Sequence, residues 1–279
     1  MARHILLIEG PDAKGLIYHV TAVLFNNGCN ILRQTEYVSP DKRFYMRTEF
    51  ENGDALKPGR IVDELRLRIP DERVKFRLDI LKKKDIVVFC TKEHHCLSEI
   101  LVRYMFGEIN ANVLAVVSNH NVLQPFVSKF GIPFHYIDAE GKSRDEHEAA
   151  ILKTLAIYAP EYLVLAKYMR ILSPEFVAHY PEKVINIHHS FLPAFIGANP
   201  YRQAHHRGVK IIGATAHFVN DDLDQGPIIA QDTKDVDHRY SASDMARAGR
   251  DVETRVLMKA LRLVFADRVF IYGNRTVIL

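Results

Sequence analysis

The chain has 279 residues, of which 48% are hydrophobic and 25% charged, so it is long enough for one large or two moderate globular domains. Its 37 basic and 34 acidic residues are spread along the chain and leave a formal net charge of +3, which excludes the polycationic stretches typical of binding to nucleic acid or to anionic membranes. Apolar runs too short for a transmembrane helix, and three cysteines without a CxxC pair, predict no membrane association, free thiols and a cytoplasmic location.

Residues 3 to 80 alternate between strand and helix patterns. Apolar residues at helical spacing begin at Leu16 and again at Ile61, which places one helix after the first strand and one before the last. The predicted strands cover residues 4–8, 30–38, 43–51 and 74–80. The sequence therefore predicts a βαββαβ arrangement.

This order and its turn chemistry resemble the ACT domain, a small ferredoxin-like module that binds amino acids at subunit interfaces of metabolic enzymes. Asp12, Gly15 and Asn30 fall where that family closes its ligand loops, and a helix N-terminus offers N–H groups to a carboxylate. The resemblance implies a regulatory domain over residues 1–81, a homo-oligomer, and an amino-acid effector with glycine and methionine as candidates. A purely structural or dimerising role, with Asp12 as a simple helix cap, is the alternative.

Residues 81–85 form a polar joint, Leu-Lys-Lys-Lys-Asp, after which strands and helices alternate. We predict crossover helices over 95–105 and 147–158, an antiparallel return over 211–219 and 227–233, and a closing helix over 243–265. The predicted parallel strands cover residues 86–90, 113–117, 134–137, 162–166 and 184–187. This alternation predicts an α/β domain over residues 85–279 with a doubly wound, mostly parallel, Rossmann-like sheet.

The last of these parallel strands ends in a cluster of polar groups just before Pro193. Asn186 and His188 are two residues apart, so an extended backbone presents both on one face, at the end of a strand where open α/β sheets bind ligands. The amide can donate to a developing oxyanion while the imidazole moves a proton. Alternatively, His188 is a hydrogen-bonded structural histidine and Asn186 a turn former.

Three further loops carry a signal. Between His217 and Pro227, Asp221, Asp222 and Asp224 lie close together in a short loop. Repulsion between the carboxylates predicts a raised pKa in one of them, which would suit a general base. The alternative is a solvated acidic turn. Residues 168–172 follow a predicted strand end with mixed aromatic, sulfur and aliphatic groups. Residues 91–95, Thr-Lys-Glu-His-His, lack a glycine-rich phosphate cradle.

Together these loops resemble the folate-dependent formyltransferase family, and with the ACT module the resemblance covers nearly the whole chain. The family's Asn-x-His-x-Ser-x-Leu-Pro loop matches residues 186–193, and its His-x₆-Asp-x-Gly segment matches residues 217–226. The resemblance implies that Asn186, His188 and Asp224 are catalytic. It also implies a folate pocket formed by Tyr168, Met169, Arg170, Ile171, Leu172, Val219 and Asp221.

The resemblance implies 10-formyltetrahydrofolate as the substrate, without a cofactor or a metal. Members that formylate glycinamide ribonucleotide hold its phosphate with a Gly/Ser/Asn-rich loop, whereas residues 92–95 contain no glycine, and His189 stands where those members commonly carry proline. Both departures favour water as the acceptor, and hence a hydrolase that releases formate for purine synthesis and balances one-carbon pools. Transfer to an amine acceptor such as glycinamide ribonucleotide is the alternative.

Two interpretations from other classes stay open. Three adjacent histidine pairs, at 94–95, 188–189 and 205–206, suggest a zinc hydrolase, although neighbours on a strand face opposite sides and no HExxH spacing occurs. The chain could also be an amino-acid sensor with an inactive enzyme domain. Release of formate distinguishes an enzyme from a sensor.

Overall fold

The computed structural model describes residues 2–52, 58–194 and 200–279. No helix among these residues has the length and apolar character needed to span a bilayer. A 3₁₀ turn covers Ser128–Phe130. The other elements, in chain order, are β1 (Ala2–Pro11), α1 (Leu16–Asn26), β2 (Asn30–Val38), β3 (Arg43–Asn52), α2 (Pro58–Arg68), β4 (Lys75–Ile80), β5 (Lys84–Cys90), α3 (His95–Met105), β6 (Ala111–Ser118), α4 (Gln124–Val127), β7 (Phe134–Tyr136), α5 (Arg144–Tyr158), β8 (Tyr162–Leu165), α6 (Pro174–Ala178), β9 (Val184–His188), α7 (Pro200–Arg207), β10 (Ile211–Phe218), β11 (Ile228–Asp235), α8 (Ala242–Phe265), β12 (Val269–Tyr272) and β13 (Arg275–Ile278).

The chain divides into two compact units. The first holds Met1–Lys82 with Ala266–Phe270 and Val277–Leu279, and the second holds Lys83–Phe265 with Ile271–Thr276. The structure thus differs from the predicted 85–279 domain at the C-terminal end of the chain. Within the first unit, Arg47 donates to the carbonyl oxygen of Ala266 at 3.2 and 3.1 Å from its Nε and Nη2 atoms.

The first unit contains a four-stranded antiparallel sheet in the order β2-β3-β1-β4. Apolar side chains of α1 and α2, such as Val20 and Leu65, pack in one buried cluster with Leu6, Ile8 and Met46 of the sheet. This cluster explains why the helical spacing read from the sequence is preserved, because each apolar stripe has a sheet face to cover. The predicted βαββαβ order is confirmed, and it is consistent with an ACT-like domain.

The second unit contains a seven-stranded mixed sheet in the order β11-β10-β9-β8-β5-β6-β7. Strands β5 to β9 run parallel, β10 is antiparallel to β9, and β11 is antiparallel to β10. The predicted doubly wound fold and the antiparallel return are therefore confirmed. The chain leaves β5 towards β6 and β7 on one side and later returns as β8 on the other, so the carboxyl ends of β5 and β8 flank the switch point where such sheets bind ligands.

Two local signals fix helices beside this edge. Ser143 caps α5 through a capping box, in which its hydroxyl accepts from the Glu146 amide at 3.2 Å and the Glu146 carboxylate accepts from the Ser143 amide at 2.9 Å. Ser173 caps α6, which opens with Pro174 at its first position, where a missing N–H removes no helical hydrogen bond. These caps set where the loops before both helices end.

Candidate active site

Asn186 and His188 lie at the carboxyl end of β9, on one face of the strand. The adjacent strand β10 places His217 opposite Asn186 and Thr215 opposite His188 in the antiparallel register. His188 is only 5% exposed. The predicted juxtaposition of amide and imidazole is therefore present, and β10 adds two partners to it.

The imidazole of His188 is oriented by Asp224. Its Nδ1 lies 3.2 Å from Asp224 Oδ1, whereas its Nε2 is buried and has no hydrogen-bond partner among the described residues. Burial alone would raise the pKa of Asp224, but the hydrogen bond from His188 and the neighbouring imidazoles outweigh it and lower the pKa below its ordinary 3.8. Asp224 is therefore a carboxylate, and the expectation of a raised pKa from crowding is wrong for this residue because the hydrogen bond with His188 and the neighbouring imidazoles together lower its pKa more than burial raises it.

His217 fixes the amide of Asn186. Its Nδ1 donates to the Phe218 carbonyl oxygen at 2.8 Å, and burial lowers its pKa, so the ring is neutral and its Nε2 is an acceptor. That atom lies 3.2 Å from Asn186 Nδ2. One amide hydrogen of Asn186 is thus engaged with His217, which leaves the second hydrogen to point elsewhere. The tautomer is assigned from these hydrogen bonds.

The loop that carries Asp224 closes because of Gly226. A Cβ atom at this position would lie 1.8 Å from the carbonyl oxygen of Phe218, a distance no side chain tolerates. The close approach allows the Phe218 amide to donate to the Pro227 carbonyl oxygen at 2.9 Å. Asp224 itself has a left-handed backbone with φ of 57°. The glycine two residues after the aspartate therefore has a steric role that shapes the loop.

Thr215 and Gln231 hold the chain immediately after His188. The Thr215 hydroxyl donates to the Ser190 carbonyl oxygen at 2.9 Å and accepts from the Leu192 amide at 3.0 Å. The Gln231 side chain donates to Thr215 Oγ1 at 2.9 Å and to the Leu192 carbonyl oxygen at 3.1 Å. Neither residue stood out in the sequence, because both lie in β-strands far from the motif along the chain.

A cavity of about 310 Å³ opens beside these groups. Met169 and Ile171 are exposed by 58% and 54%, so their apolar surface is available to a ligand, whereas Tyr168 is buried and packs edge-to-face on Phe89. Every residue predicted for catalysis or for the folate pocket lines this cavity: Asn186, His188, Asp224, Tyr168, Met169, Arg170, Ile171, Leu172, Val219 and Asp221. The structure therefore brings together three stretches that are separate in the sequence.

The loop over residues 168–172 is held at both ends. Thr91 Oγ1 donates to the Lys167 carbonyl oxygen at 2.8 Å, just before the loop. Glu148, which is buried on α5, accepts from the amide and the hydroxyl of Ser173 at 2.9 and 2.5 Å, just after it. A carboxylate that accepts two hydrogen bonds from one residue fixes that residue firmly. Glu148 is a positioning residue that the sequence did not reveal.

The three histidine pairs do not together form a group with metal-ligand spacing among the described residues. Among the described residues, one group with metal-ligand spacing is present, formed by His95, Cys96 and Glu253, whose ligand atoms lie within 4.8 Å of one another. The ammonium of Lys167 lies 3.3 Å from Glu253 Oε2, so a cation already faces this carboxylate. Burial also raises the pKa of the Cys96 thiol, which disfavours the thiolate that a metal needs.

In the first unit, the residues predicted to bind an effector lie at the start of α1 and of β2. Gly15 is the N-cap of α1, with φ of 89° and no side chain capping the helix, so Asp12 is not its cap. The Asp12 amide donates to the Lys42 carbonyl oxygen at 2.8 Å. Asn30 donates from its side chain to Glu51 at 3.3 Å. The uncapped N–H groups of α1 remain available to a ligand carboxylate.

Comparison with known proteins identifies relatives over the full chain. The family model "Formyl transferase" matches residues 84–261. The formyltetrahydrofolate deformylase of Haemophilus influenzae is 50% identical over 278 residues, which cover 99% of this chain and 99% of the relative. The crystal structure of a formyltetrahydrofolate deformylase from Pseudomonas syringae is 36% identical, with a TM-score of 0.95 and coverage of 100% of this chain and 95% of that one. Glycinamide ribonucleotide transformylase 1 from Symbiobacterium toebii is 32% identical, with a TM-score of 0.67, and covers 71% of this chain and 94% of its own.

Proposed function

We infer that the protein hydrolyses 10-formyltetrahydrofolate to formate and tetrahydrofolate, because the chain belongs to the formyltetrahydrofolate deformylases of the formyl transferase family. The observation that carries the proposal is the set of Asn186, His188 and Asp224 around one cavity, with the ring of His188 oriented so that Nε2 is free to react. The formate serves purine synthesis, and the tetrahydrofolate returns to the one-carbon pool.

Proton transfer falls to His188. Asp224 accepts the hydrogen bond of Nδ1–H and stabilises the imidazolium that forms when Nε2 takes the proton of the attacking water. The water oxygen bonds to the formyl carbon, and the C–N bond to the folate nitrogen then breaks as Nε2–H returns its proton to that nitrogen. Such acid–base help is worth roughly 10² to 10⁴ in rate.

Charge stabilisation falls to Asn186. The tetrahedral intermediate carries an oxyanion, and the second amide hydrogen of Asn186, which His217 does not use, is the donor that reaches it. His217 is thus a positioning residue, since it fixes which way the amide faces. One donor of this kind contributes about 3 to 4 kcal/mol to stabilisation of the transition state. All of these roles belong to the chain's own side chains, so the proposal needs no cofactor and no metal.

Folate binding falls to the two loops that line the cavity. Met169, Ile171 and Leu172 offer apolar surface to a flat heterocycle, and Arg170 offers a cation to a carboxylate. Val219 and Asp221 lie on the opposing loop, where backbone and carboxylate groups supply hydrogen-bond partners. The fixed ends of the first loop, at Thr91 and Ser173, keep this wall in place before the ligand arrives.

The decisive experiment incubates the purified protein with 10-formyltetrahydrofolate in plain buffer and follows formate and tetrahydrofolate together. We expect equal amounts of both without any acceptor. Tetrahydrofolate that forms only when an amine is added would identify a transferase. A chain that turns over nothing but binds an amino acid would be a sensor.

Regulation is assigned to the first unit. We propose that glycine or methionine binds through Asp12, the N–H groups near Gly15, and Asn30. We also propose that the protein is a homo-oligomer. We further propose a cytoplasmic location, where the free thiols of its three cysteines stay reduced. Replacing Asp12 by Ala should abolish the response of formate release to either amino acid, whereas replacing Asp63, an exposed acid on α2, should preserve it. A response equal in both variants would place the effector elsewhere, and sedimentation measures the assembly.

A further inference from the structure

A second polar cluster, centred on Glu253 of α8, lies beside the active-site cavity and takes no part in the proposed chemistry. Glu253 is 1% exposed. Its carboxylate contacts His95 Nε2 at 2.7 Å, the Tyr201 hydroxyl at 2.6 Å and the Lys167 ammonium at 3.3 Å. We call these four residues the Glu253 network. A buried carboxylate with three partners is rigid, because releasing any one of them leaves a charge or a donor unpaired.

The Glu253 network occupies the switch point of the sheet. His95 begins α3, a few residues after the end of β5, and Lys167 follows the end of β8. A hydrogen bond from Thr91 to the Lys167 carbonyl oxygen, 2.8 Å long, joins these two strand ends directly. Doubly wound sheets normally take a ligand in this crevice. Here His95, Lys167 and Glu253 of the chain itself meet at this crevice.

The network also reaches the reacting imidazole through His189. The ring of His189 stacks on His188 with centroids 5.0 Å apart and an interplanar angle of 28°, and its other neighbour is Tyr201 at 6.4 Å. Lys167 and His189 also line the cavity whose walls we assign to the folate. With the folate assigned to that cavity, a second substrate would reach His188 past His189 and Tyr201, which line another cavity of about 380 Å³.

Gly249 leaves space on α8 for the Tyr201 side chain of the network. It lies one turn before Glu253 in the middle of α8, where glycine destabilises a helix by about 1 kcal/mol relative to alanine. A Cβ atom here would lie 2.0 Å from the Tyr201 hydroxyl oxygen. The helix therefore admits the phenol of Tyr201 only because residue 249 has no side chain.

We propose that the Glu253 network favours water over an amine acceptor in this deformylase, because its charged and aromatic side chains lie at the switch point beside the stacked pair of His189 and His188, where an acceptor would compete with them for space. The proposal deepens the proposed function, on which it rests. Tyr201, His189 and Glu253 are specificity-determining positioning residues, since they act on the choice of nucleophile without touching the formyl carbon. Water still reaches His188, because a single water molecule needs much less space than an amine acceptor.

The test offers hydroxylamine as a competing nucleophile during turnover of 10-formyltetrahydrofolate. When hydroxylamine attacks, its nitrogen bonds to the formyl carbon, the bond to the folate nitrogen breaks, and a proton passes from the attacking nitrogen to the folate nitrogen. The products are formohydroxamate, measured as its coloured ferric complex, and tetrahydrofolate. The ratio of formohydroxamate to formate is independent of how much active enzyme a preparation holds, so loss of stability alone does not change it.

Three variants open the network to different degrees. Tyr201→Ala removes the phenol, Gly249→Ala displaces it, and Tyr201→Phe removes only its hydrogen bond. Gly59→Ala is the matched control, because Gly59 also lies in a helix, α2, and a Cβ there meets nothing within 4 Å. We expect the product ratio to rise about fivefold or more in the first two variants, to rise less in Tyr201→Phe, and to stay unchanged in Gly59→Ala.

Two results would overturn the proposal. One is an unchanged ratio of formohydroxamate to formate in variants that fold and release tetrahydrofolate. If Tyr201→Ala does not fold, the result rests on Gly249→Ala and Tyr201→Phe. The other is a wild-type enzyme that already forms formohydroxamate as readily as the variants, since there would then be no exclusion to explain. Failure of the proposed function would give a different result, because the wild type would then release neither formate nor tetrahydrofolate.

Discussion

Replacing Asp224 by Asn tests the active site most directly, because the change keeps the shape of the side chain and removes its charge. In the transition state Nε2 of His188 has taken a proton, so an imidazolium faces the Asp224 carboxylate across the 3.2 Å contact. At that distance a unit charge pair in an effective dielectric near 20 interacts by roughly 5 kcal/mol. The amide of Asn retains part of this attraction as a dipole, and it can also present its NH₂ group to Nδ1 and favour the wrong tautomer.

A net loss of about 3 to 5 kcal/mol corresponds to roughly 10² to 10⁴ in kcat. The Michaelis constant should change little, since Asp224 acts on the imidazole and the cavity walls stay in place. The assay is formate release from 10-formyltetrahydrofolate under saturating conditions, with Asp145→Asn as the control because that acid is exposed on α5 and does not line the cavity. An Asp224→Asn enzyme within a few-fold of wild type would refute the assignment.

The double variant sharpens this prediction. His188→Ala should lose as much activity as Asp224→Asn, and the enzyme that carries both changes should be little worse than either, because a base and the group that orients it act as one unit. Losses that multiply would mean that Asp224 and His188 work in separate steps, and the shared proton path would then be wrong.

Three further predictions concern the oxyanion, acid and the acceptor. Asn186→Ala should lower kcat about 10²- to 10³-fold, because the oxyanion donor is lost. The control Asn112→Ala, which removes an amide bonded to Asp85, should leave kcat unchanged. Equal kcat values in the two variants would exclude the oxyanion role. The pKa of Asp224 is lower in the folded state than its ordinary 3.8, so its ionised form stabilises the fold above that pH and this contribution disappears as the pH falls through the lowered pKa. The difference in urea-unfolding free energy between wild type and Asp224→Asn should therefore shrink below about pH 4, and a difference that grows there contradicts the assignment. Glycinamide ribonucleotide titrated into the reaction should neither divert formyl groups nor slow formate release; saturable formation of formylated ribotide would identify a transferase.

The fold was predictable wherever periodicity had enough length to be read. Helix α3 and strand β2 have the predicted limits, residues 95–105 and 30–38. An apolar stripe runs through the helix, and the turn at Ser39-Pro40-Asp41 ends the strand. Helix α6 has only five residues, so its signal was limited to the Ser-Pro pair at its start. The hairpin of β12 and β13 was missed for a similar reason, since each strand has four residues.

The candidate site was predictable to the extent that its residues share one strand or one loop. Asn186 and His188 are two positions apart on β9, so their common face follows from strand geometry alone. His217 was part of a recognised segment, but its partner on the neighbouring strand depends on the register of β9 with β10, which no local pattern specifies. Thr215 and Gln231 were missed for the same reason, because both contact the 190–192 loop across strands.

The Glu253 network illustrates why the acceptor could be inferred only indirectly from the sequence. The absence of glycine in residues 92–95 predicted only that this loop does not bind a phosphate, whereas the structure places the Glu253 network at the ends of β5 and β8. Its members come from the start of α3, the end of β8, α7 and α8, so only the assembled sheet and helices bring them together. Glycine at position 249 is the one local trace of this assembly, since an otherwise unfavourable residue in the middle of a long helix indicates that another side chain needs the space.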